Sequence, residues 1–213
     1  MQTAAISVDG VRFLIEHPGD YIGEWLAQGD FYERELLDDI RERVPSGLVV
    51  DVGAHIGNHS VFLAGVCGLT VVALEPSPES FATLQRNIEL NGLQGRVTAI
   101  NRALADKPYR ISVGESDPEN TGATTWERAA NGECRTATFD SMELEDVRAV
   151  KIDVEGMEFQ VLRGAGQTLL RDRPLIYLET NALDQMDEFL GGLGYRRFGR
   201  FCSKNHYGYE VLI

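Results

Sequence analysis

The chain has 213 residues, 43% of them apolar, which is enough for one sizeable core and short for two domains. Its formal net charge of −13, from 33 acidic against 20 basic residues, argues against nucleic acid or an anionic membrane as partner, because binding phosphates calls for lysine and arginine. No apolar run reaches the roughly 18 residues a bilayer span needs, and residues 1–7 carry no signal-peptide pattern, so a cytoplasmic enzyme acting on a small neutral or cationic substrate is expected.

In chain order, the runs 6–8 and 11–15 flank Asp9-Gly10, a two-residue hairpin signal. Phe31, Leu36, Leu37, Ile40 and Val44 fall near helical spacing and predict a helix over 31–43, ended by Pro45-Ser46-Gly47. Residues 49–52 read as a short buried strand, 56–64 as a helix start, and 70–74 as a second strand, together one βαβ unit. Ser77-Pro78-Glu79-Ser80 opens a helix over 81–91, and 97–101 is a third strand. Strands at 111–113 and 135–139 bracket the polar, glycine-containing segment 114–133, read either as a functional loop or as an insertion without structure. A fourth strand at 147–152 is followed by a helix over 158–170 that is interrupted at Gly164 and Gly166. A fifth strand covers 174–178 and a helix 183–190, and a hairpin of 195–201 and 207–212, turning across Ser203-Lys204-Asn205-His206, closes the chain. Cys67, Cys134 and Cys202 are odd in number and far apart, which predicts reduced structural thiols. Alternating elements imply an α/β fold with a mostly parallel sheet covered on both faces, divided as an N-terminal hairpin and helix (1–44) packing on a core (45–213).

The most informative stretch is Val49 to Leu63. An acid at a strand tip, Asp51, precedes a turn with Gly53 and Gly57 at its two ends and then a helix start. Glycines let backbone approach a ligand, and the helix N-terminus suits a carboxylate. A dinucleotide fingerprint needs a middle glycine where this chain has His55, so the loop fits S-adenosylmethionine (SAM), which has a carboxylate and no phosphate, and an oxidoreductase is disfavoured. Glu75, 24 residues beyond Asp51 and followed by Pro76, stands where nucleoside-binding folds place a ribose ligand. Asp51, Glu75, Asn101, Asp153 and Glu179 all fall at predicted carboxyl ends of strands, where ligands bind in such sheets.

The segments VVDVGAHIGNHSVFLA, ALEPSPESFATLQRNIELNG, RALADK, TFDSM and VKIDVEGMEFQVLRGA resemble the FkbM family of SAM-dependent methyltransferases. The resemblance implies a Rossmann-like fold with strand order 3-2-1-4-5-7-6 and methyl transfer to a hydroxyl of a sugar, polyketide or other secondary metabolite. It implies that Gly53, Ala54, His55, Gly57 and Asn58 hold the methionine portion and that Glu75 and Pro76 serve the ribose. Asn101, Ala103 and Leu104 would border the adenine, with Asp106 either near its amino group or merely in a turn.

An alcohol must lose its proton near the transition state, which calls for a base. Asp153, with Glu155 beside it, is the expected carboxylate base, since clustered acids raise the pKa of at least one member. His59, at the start of the cofactor helix, is the other candidate, held level with an ordinary polar helix residue. Glu158 reads as open between site and helix cap, and His206 as an exposed turn residue. Trp126, Tyr21 and Trp25 could wall an acceptor pocket. A Mg²⁺-assisted route through Asp153, Glu179 and Asn181 is the alternative chemistry, and a SAM-binding protein without turnover is the alternative function.

Overall fold

The structure, a computed structural model, describes residues 1–202 and 205–212. Asp9 and Gly10 both take positive φ, 52° and 80°, at the tip of the hairpin formed by β1 (Gln2–Val8) and β2 (Val11–His17). The hairpin outruns its predicted ends because burial alternates along its whole length, from Ala4, Ile6 and Val8 to Phe13, Ile15 and His17. A helix that the periodicity does not predict follows, α1 (Tyr21–Leu26), capped by the Asp20 carboxylate, which accepts from the Gly23 N–H at 3.0 Å. The next helix, α2 (Arg34–Arg43), starts three residues later than expected. Glu33 is left-handed, with φ 58°, and no helix runs through such a residue.

The main sheet holds β3 (Leu48–Val52), β4 (Thr70–Leu74), β5 (Val97–Ile100), β10 (Val147–Ile152), β11 (Leu175–Glu179), β12 (Tyr195–Phe201) and β13 (His206–Val211). Its order is β12-β13-β11-β10-β3-β4-β5, which is 3-2-1-4-5-7-6 when the seven strands are numbered along the chain and read from the other edge. β13 runs antiparallel to both its neighbours, and the other adjacent pairs among the described residues are parallel. Part of the predicted turn between β12 and β13, Ser203 and Lys204, lies outside the described residues.

Two apolar clusters cover the sheet. One face packs against the hairpin, α2, α3 (Asn58–Val61) with the π-helical turn Phe62–Val66, and α4 (Pro78–Leu90). The other packs against α5 (Glu158–Arg163), α6 (Gly166–Asp172) and α7 (Leu183–Gly192). Hairpin residues such as Ile6 and Phe13 share one cluster with Val49 and Ala73 of the sheet. No helix among the described residues is long and apolar enough to cross a membrane. A smaller sheet of β6 (Ala103–Leu104), β7 (Arg110–Val113), β8 (Trp126–Arg128) and β9 (Cys134–Ala137), ordered β6-β9-β7-β8, carries the 114–133 segment. That segment is therefore built, with a 3₁₀ turn at Thr121–Ala123, and is not an insertion without structure.

Candidate functional site

The strand order reverses between β3 and β10, and a cavity opens beyond the carboxyl ends of these strands. Its floor is the turn after β3. Gly53 has φ 81°, and a Cβ there would drive into the Asp153 carbonyl oxygen, so the two strand ends can close up only around glycine. Gly57 takes φ 85° immediately before α3, so the helix begins at Asn58, two residues later than the sequence predicts. Gly53, Ala54, His55, Asn58 and His59 all line the cavity.

Glu75, Pro76, Ala103 and Leu104 form one end. The Glu75 carboxylate accepts the backbone N–H of His55 on Oε2 and of Ser77 on Oε1, both at 2.8 Å. Each oxygen keeps a lone pair for a hydroxyl. Burial pushes its pKa up to about 7, against the pull of those two N–H groups. Asn101 does not line this end: its Nδ2 donates to the Glu75 and Pro76 carbonyls at 2.8 and 3.0 Å and braces the turn from behind. Asp106 is likewise absent from the wall. Asp51 lies beneath the turn, fully buried, accepting from Ser60 Oγ at 2.7 Å.

The opposite end is built around Lys151, which the sequence reading passed over. The register of β3 and β10 sets Lys151 directly beside Asp51. Its ammonium lies 3.3 Å from Asp51 Oδ1, 3.3 Å from Asp153 Oδ2, and 3.0 Å from the Gly53 carbonyl, to which it donates. Burial opposes its charge, but the carboxylates of Asp153 and Asp51 outweigh burial and hold its pKa above the ordinary lysine range. A lysine inside an otherwise apolar strand, beside a buried acid one strand away, is the signal that could have found it.

Asp153 and Glu179 share a hydrogen bond. Burial opposes the Asp153 charge, yet Lys151 and the Glu179 hydrogen bond hold its pKa well below the usual carboxylate range. Burial and the neighbouring Asp153 charge push Glu179 up to about 9, so the pair's proton sits on Glu179. Burial, with the Asp153 charge adding to it, also raises the Glu158 pKa, so acids around Asp153 are raised while Asp153 itself is lowered. Glu155, at φ 50°, lines the cavity next to them. Glu158 sits in the first turn of α5 and accepts from the Gly156 N–H at 2.7 Å, a helix-end role.

Two segments far from this centre complete it. Tyr32 and Glu33, ahead of α2, line the cavity. Asn58 and Tyr32 exchange two hydrogen bonds, at 3.3 and 3.2 Å, which tie α3 to this segment. His59 Nε2 lies 3.2 Å from the Tyr32 carbonyl, which can only accept, so that nitrogen carries the hydrogen. Burial lowers the His59 pKa to about 4 and keeps the ring neutral. His206, expected to be exposed, is only 2% exposed, because it opens β13 opposite Glu179 and is covered by the sheet. Its Nε2 lies 3.3 Å from Glu33 Oε2 and 3.5 Å from Glu179 Oε2.

Of the three aromatic residues expected at the wall, Trp126 is there. Tyr21 and Trp25 are instead 46% and 41% exposed and set their ring edges against Tyr32. Of the residues weighed for a metal, Asp153 and Glu179 lie together with Glu155, their carboxylate oxygens within 4.8 Å of one another, as do ligand atoms of Glu33, Asp153 and His206, while Asn181 Oδ1 accepts from Asn205. Lys151 already supplies a positive charge to Asp153, the residue common to both sets. The three cysteines are unbridged.

Comparison with known proteins bears on the family and the fold. The family described as the methyltransferase FkbM domain matches residues 51–197. A hexuronic acid methyltransferase, AglP, from Haloferax volcanii is 29% identical over 142 residues, covering 64% of this chain and 56% of that protein. Methyltransferase 1 from Beauveria bassiana is 28% identical over 165 residues, covering 63% of this chain and 66% of its own length. The chain thus spans about half to two thirds of these relatives. Among solved structures, the methyltransferase FkbM from Methylobacillus flagellatus KT superposes with a TM-score of 0.56 at 19% identity, over 78% of this chain and 44% of that one, and shows the same Rossmann-like fold.

Proposed function

The chain belongs to the FkbM methyltransferase family, and from that premise we propose that it transfers a methyl group from SAM to a hydroxyl of a small metabolite. The observation that carries this reading is the position of two carboxylates, Glu75 and Asp153, on opposite sides of the Gly53–Asn58 turn in one cavity. Glu75 suits a ribose diol, with one acceptor oxygen for each hydroxyl. The turn and the start of α3 suit the methionine carboxylate and ammonium. Bound there, SAM supplies an electrophilic methyl on a sulfonium.

The protein's main task is then positioning, followed by removal of one proton. Asp153, ionised beside Lys151, accepts the hydroxyl proton as the oxygen gains its methyl and becomes far more acidic, so a weak base suffices. Lys151 holds Asp153 in place and ties it to the Gly53 carbonyl. Glu179, carrying its proton, donates to Asp153 and fixes the other side of the carboxylate. His59 acts through position: its hydrogen is committed to the Tyr32 carbonyl. Glu155 stands near enough to orient the acceptor.

The carboxylates Glu33, Asp153 and Glu155 at this end favour a neutral or cationic acceptor. The Haloferax relative is named for an acidic sugar, which supports a sugar-like acceptor, while the carboxylates here favour an uncharged one, so the screen starts from neutral glycosides. The test is calorimetric titration with SAM, its demethylated product and NADH, followed by turnover with hydroxylated acceptors. Saturable SAM binding without NADH binding supports the assignment; no SAM binding by folded protein defeats it. Binding without turnover on any acceptor leaves the non-catalytic alternative.

A further inference from the structure

Asp20, Thr121 and His55 come from three distant parts of the chain and meet at the mouth of the cavity. Asp20 caps α1, Thr121 starts the 3₁₀ turn of the 114–133 segment, and His55 is in the cofactor turn. Asp20 Oδ2 accepts both the Thr121 hydroxyl at 2.6 Å and the Thr121 N–H at 3.2 Å. Thr121 Oγ1 also lies 2.9 Å from His55 Nε2. A threonine hydroxyl has one hydrogen, and it is given to Asp20, so the contact with His55 requires that Nε2 donate. The chain of donation thus runs from His55 through Thr121 to Asp20. Burial lowers the His55 pKa to about 4, in keeping with a neutral ring of that tautomer. The other Asp20 oxygen is taken by the Gly23 N–H, and the Tyr21 N–H donates to the Glu119 carbonyl at 2.8 Å.

We propose that Asp20 and Thr121 are positioning residues that clamp the 119–126 segment to the cofactor turn through His55 and so hold one wall of the cavity in place. The clamped segment supplies Asn120, Thr121, Gly122, Ala123, Thr124 and Trp126 to that wall. The same His55 gives its backbone N–H to Glu75 Oε2, so the clamp and the ribose-facing carboxylate share one residue. Asp20 lies outside the stretch matched to the family, so the N-terminal segment contributes to a wall that the core motifs do not specify. Only the identity of the ligand rests on the function proposed above; the clamp itself does not.

The experiment compares full-length Thr121→Val, Thr121→Ser and Asp20→Asn with the unaltered chain. Amide hydrogen exchange of residues 119–126 is read without cofactor, and SAM affinity is then read by calorimetry. Thr121→Val and Asp20→Asn should raise exchange in 119–126 by about tenfold while β3 and β10 stay protected, and Thr121→Ser should restore the native pattern. SAM affinity should fall about fivefold in the first two variants and stay native in Thr121→Ser. Unchanged exchange in both disruptive variants would overturn the clamp, as would faster exchange with native SAM affinity. If the unaltered chain does not bind SAM, the function proposed above fails, and the exchange measurement alone decides the clamp.

Discussion

The two ends of the cavity are made in different ways. The proposed cofactor end, from Gly53 through Asn58 to Glu75 and Pro76, comes from one βαβ unit, and the Glu75 carboxylate is held by N–H groups of that same stretch, those of His55 and Ser77. The acceptor end is assembled from Tyr32 and Glu33 before α2, Lys151 and Asp153 on β10, Glu179 on β11 and His206 on β13. The first lies almost wholly inside the family-matched stretch; the second takes Tyr32, Glu33 and His206 from outside it. The family-matched stretch thus carries the proposed cofactor turn, while flanking residues reach it from outside, Tyr32 through Asn58 and Asp20 through Thr121 and His55.

The largest expected effect tests the acceptor end. Asp153→Asn should cut turnover about 10²–10⁴-fold, with SAM affinity little changed. Retained turnover would move the base elsewhere. Because Asp153 stays ionised far below neutrality, its titration should give kcat no acid limb between pH 5 and 8.

Lys151→Met tests the joint between the ends. It leaves Asp51 and Asp153 without their buried cation and should destabilise the fold by about 3–5 kcal/mol in urea unfolding. A native midpoint would show that the two carboxylates do not depend on it.

Glu75→Gln tests the cofactor end and should weaken SAM binding about tenfold to hundredfold through loss of charged hydrogen bonds. Its sign with pH is separable. The Glu75 pKa is raised to about 7 by burial, so native SAM affinity should fall as pH drops through 7, and the variant should show no such fall. Stability moves oppositely. A raised carboxylate pKa stabilises the fold at low pH, and that contribution is lost as pH rises towards about 7, so native stability should fall between about pH 4.5 and 7 and the variant should lack that fall. A variant with native affinity and native pH dependence would remove Glu75 from the ribose site.

The smallest expected effect is that of a chelator. With Lys151 beside Asp153, turnover should stay within about twofold in excess EDTA, a change below the 1.4 kcal/mol of a tenfold effect. Loss of activity restored by Mg²⁺ would replace the proton-acceptor role of Asp153 with a metal-ligand role.

Much of this was legible in the sequence because it is local. The hairpin at Asp9-Gly10, the strand at 70–74, the glycine turn and the acid of Glu75 each depend on residues close along the chain, where turn chemistry and alternation dominate. The boundaries of α2 and α3 were displaced by single left-handed residues, Glu33 and Gly57, which periodicity cannot see.

Tertiary packing alone sets which distant groups become neighbours. In the sequence, Lys151 is a charge in a strand, His206 a residue in a hairpin turn, and Asp20 an acid in a stretch without a helical pattern. Sheet register sets Lys151 beside Asp51, the antiparallel pairing of β13 buries His206 opposite Glu179, and a hydroxyl from residue 121 closes on Asp20. Local hydrogen bonding and side-chain alternation are written in adjacent residues, whereas burial, ionisation and proton sharing depend on what the folded chain brings within a few ångströms. The sequence therefore determined the fold class and the glycine turn, and the packing of the sheet determined the surroundings of Asp153.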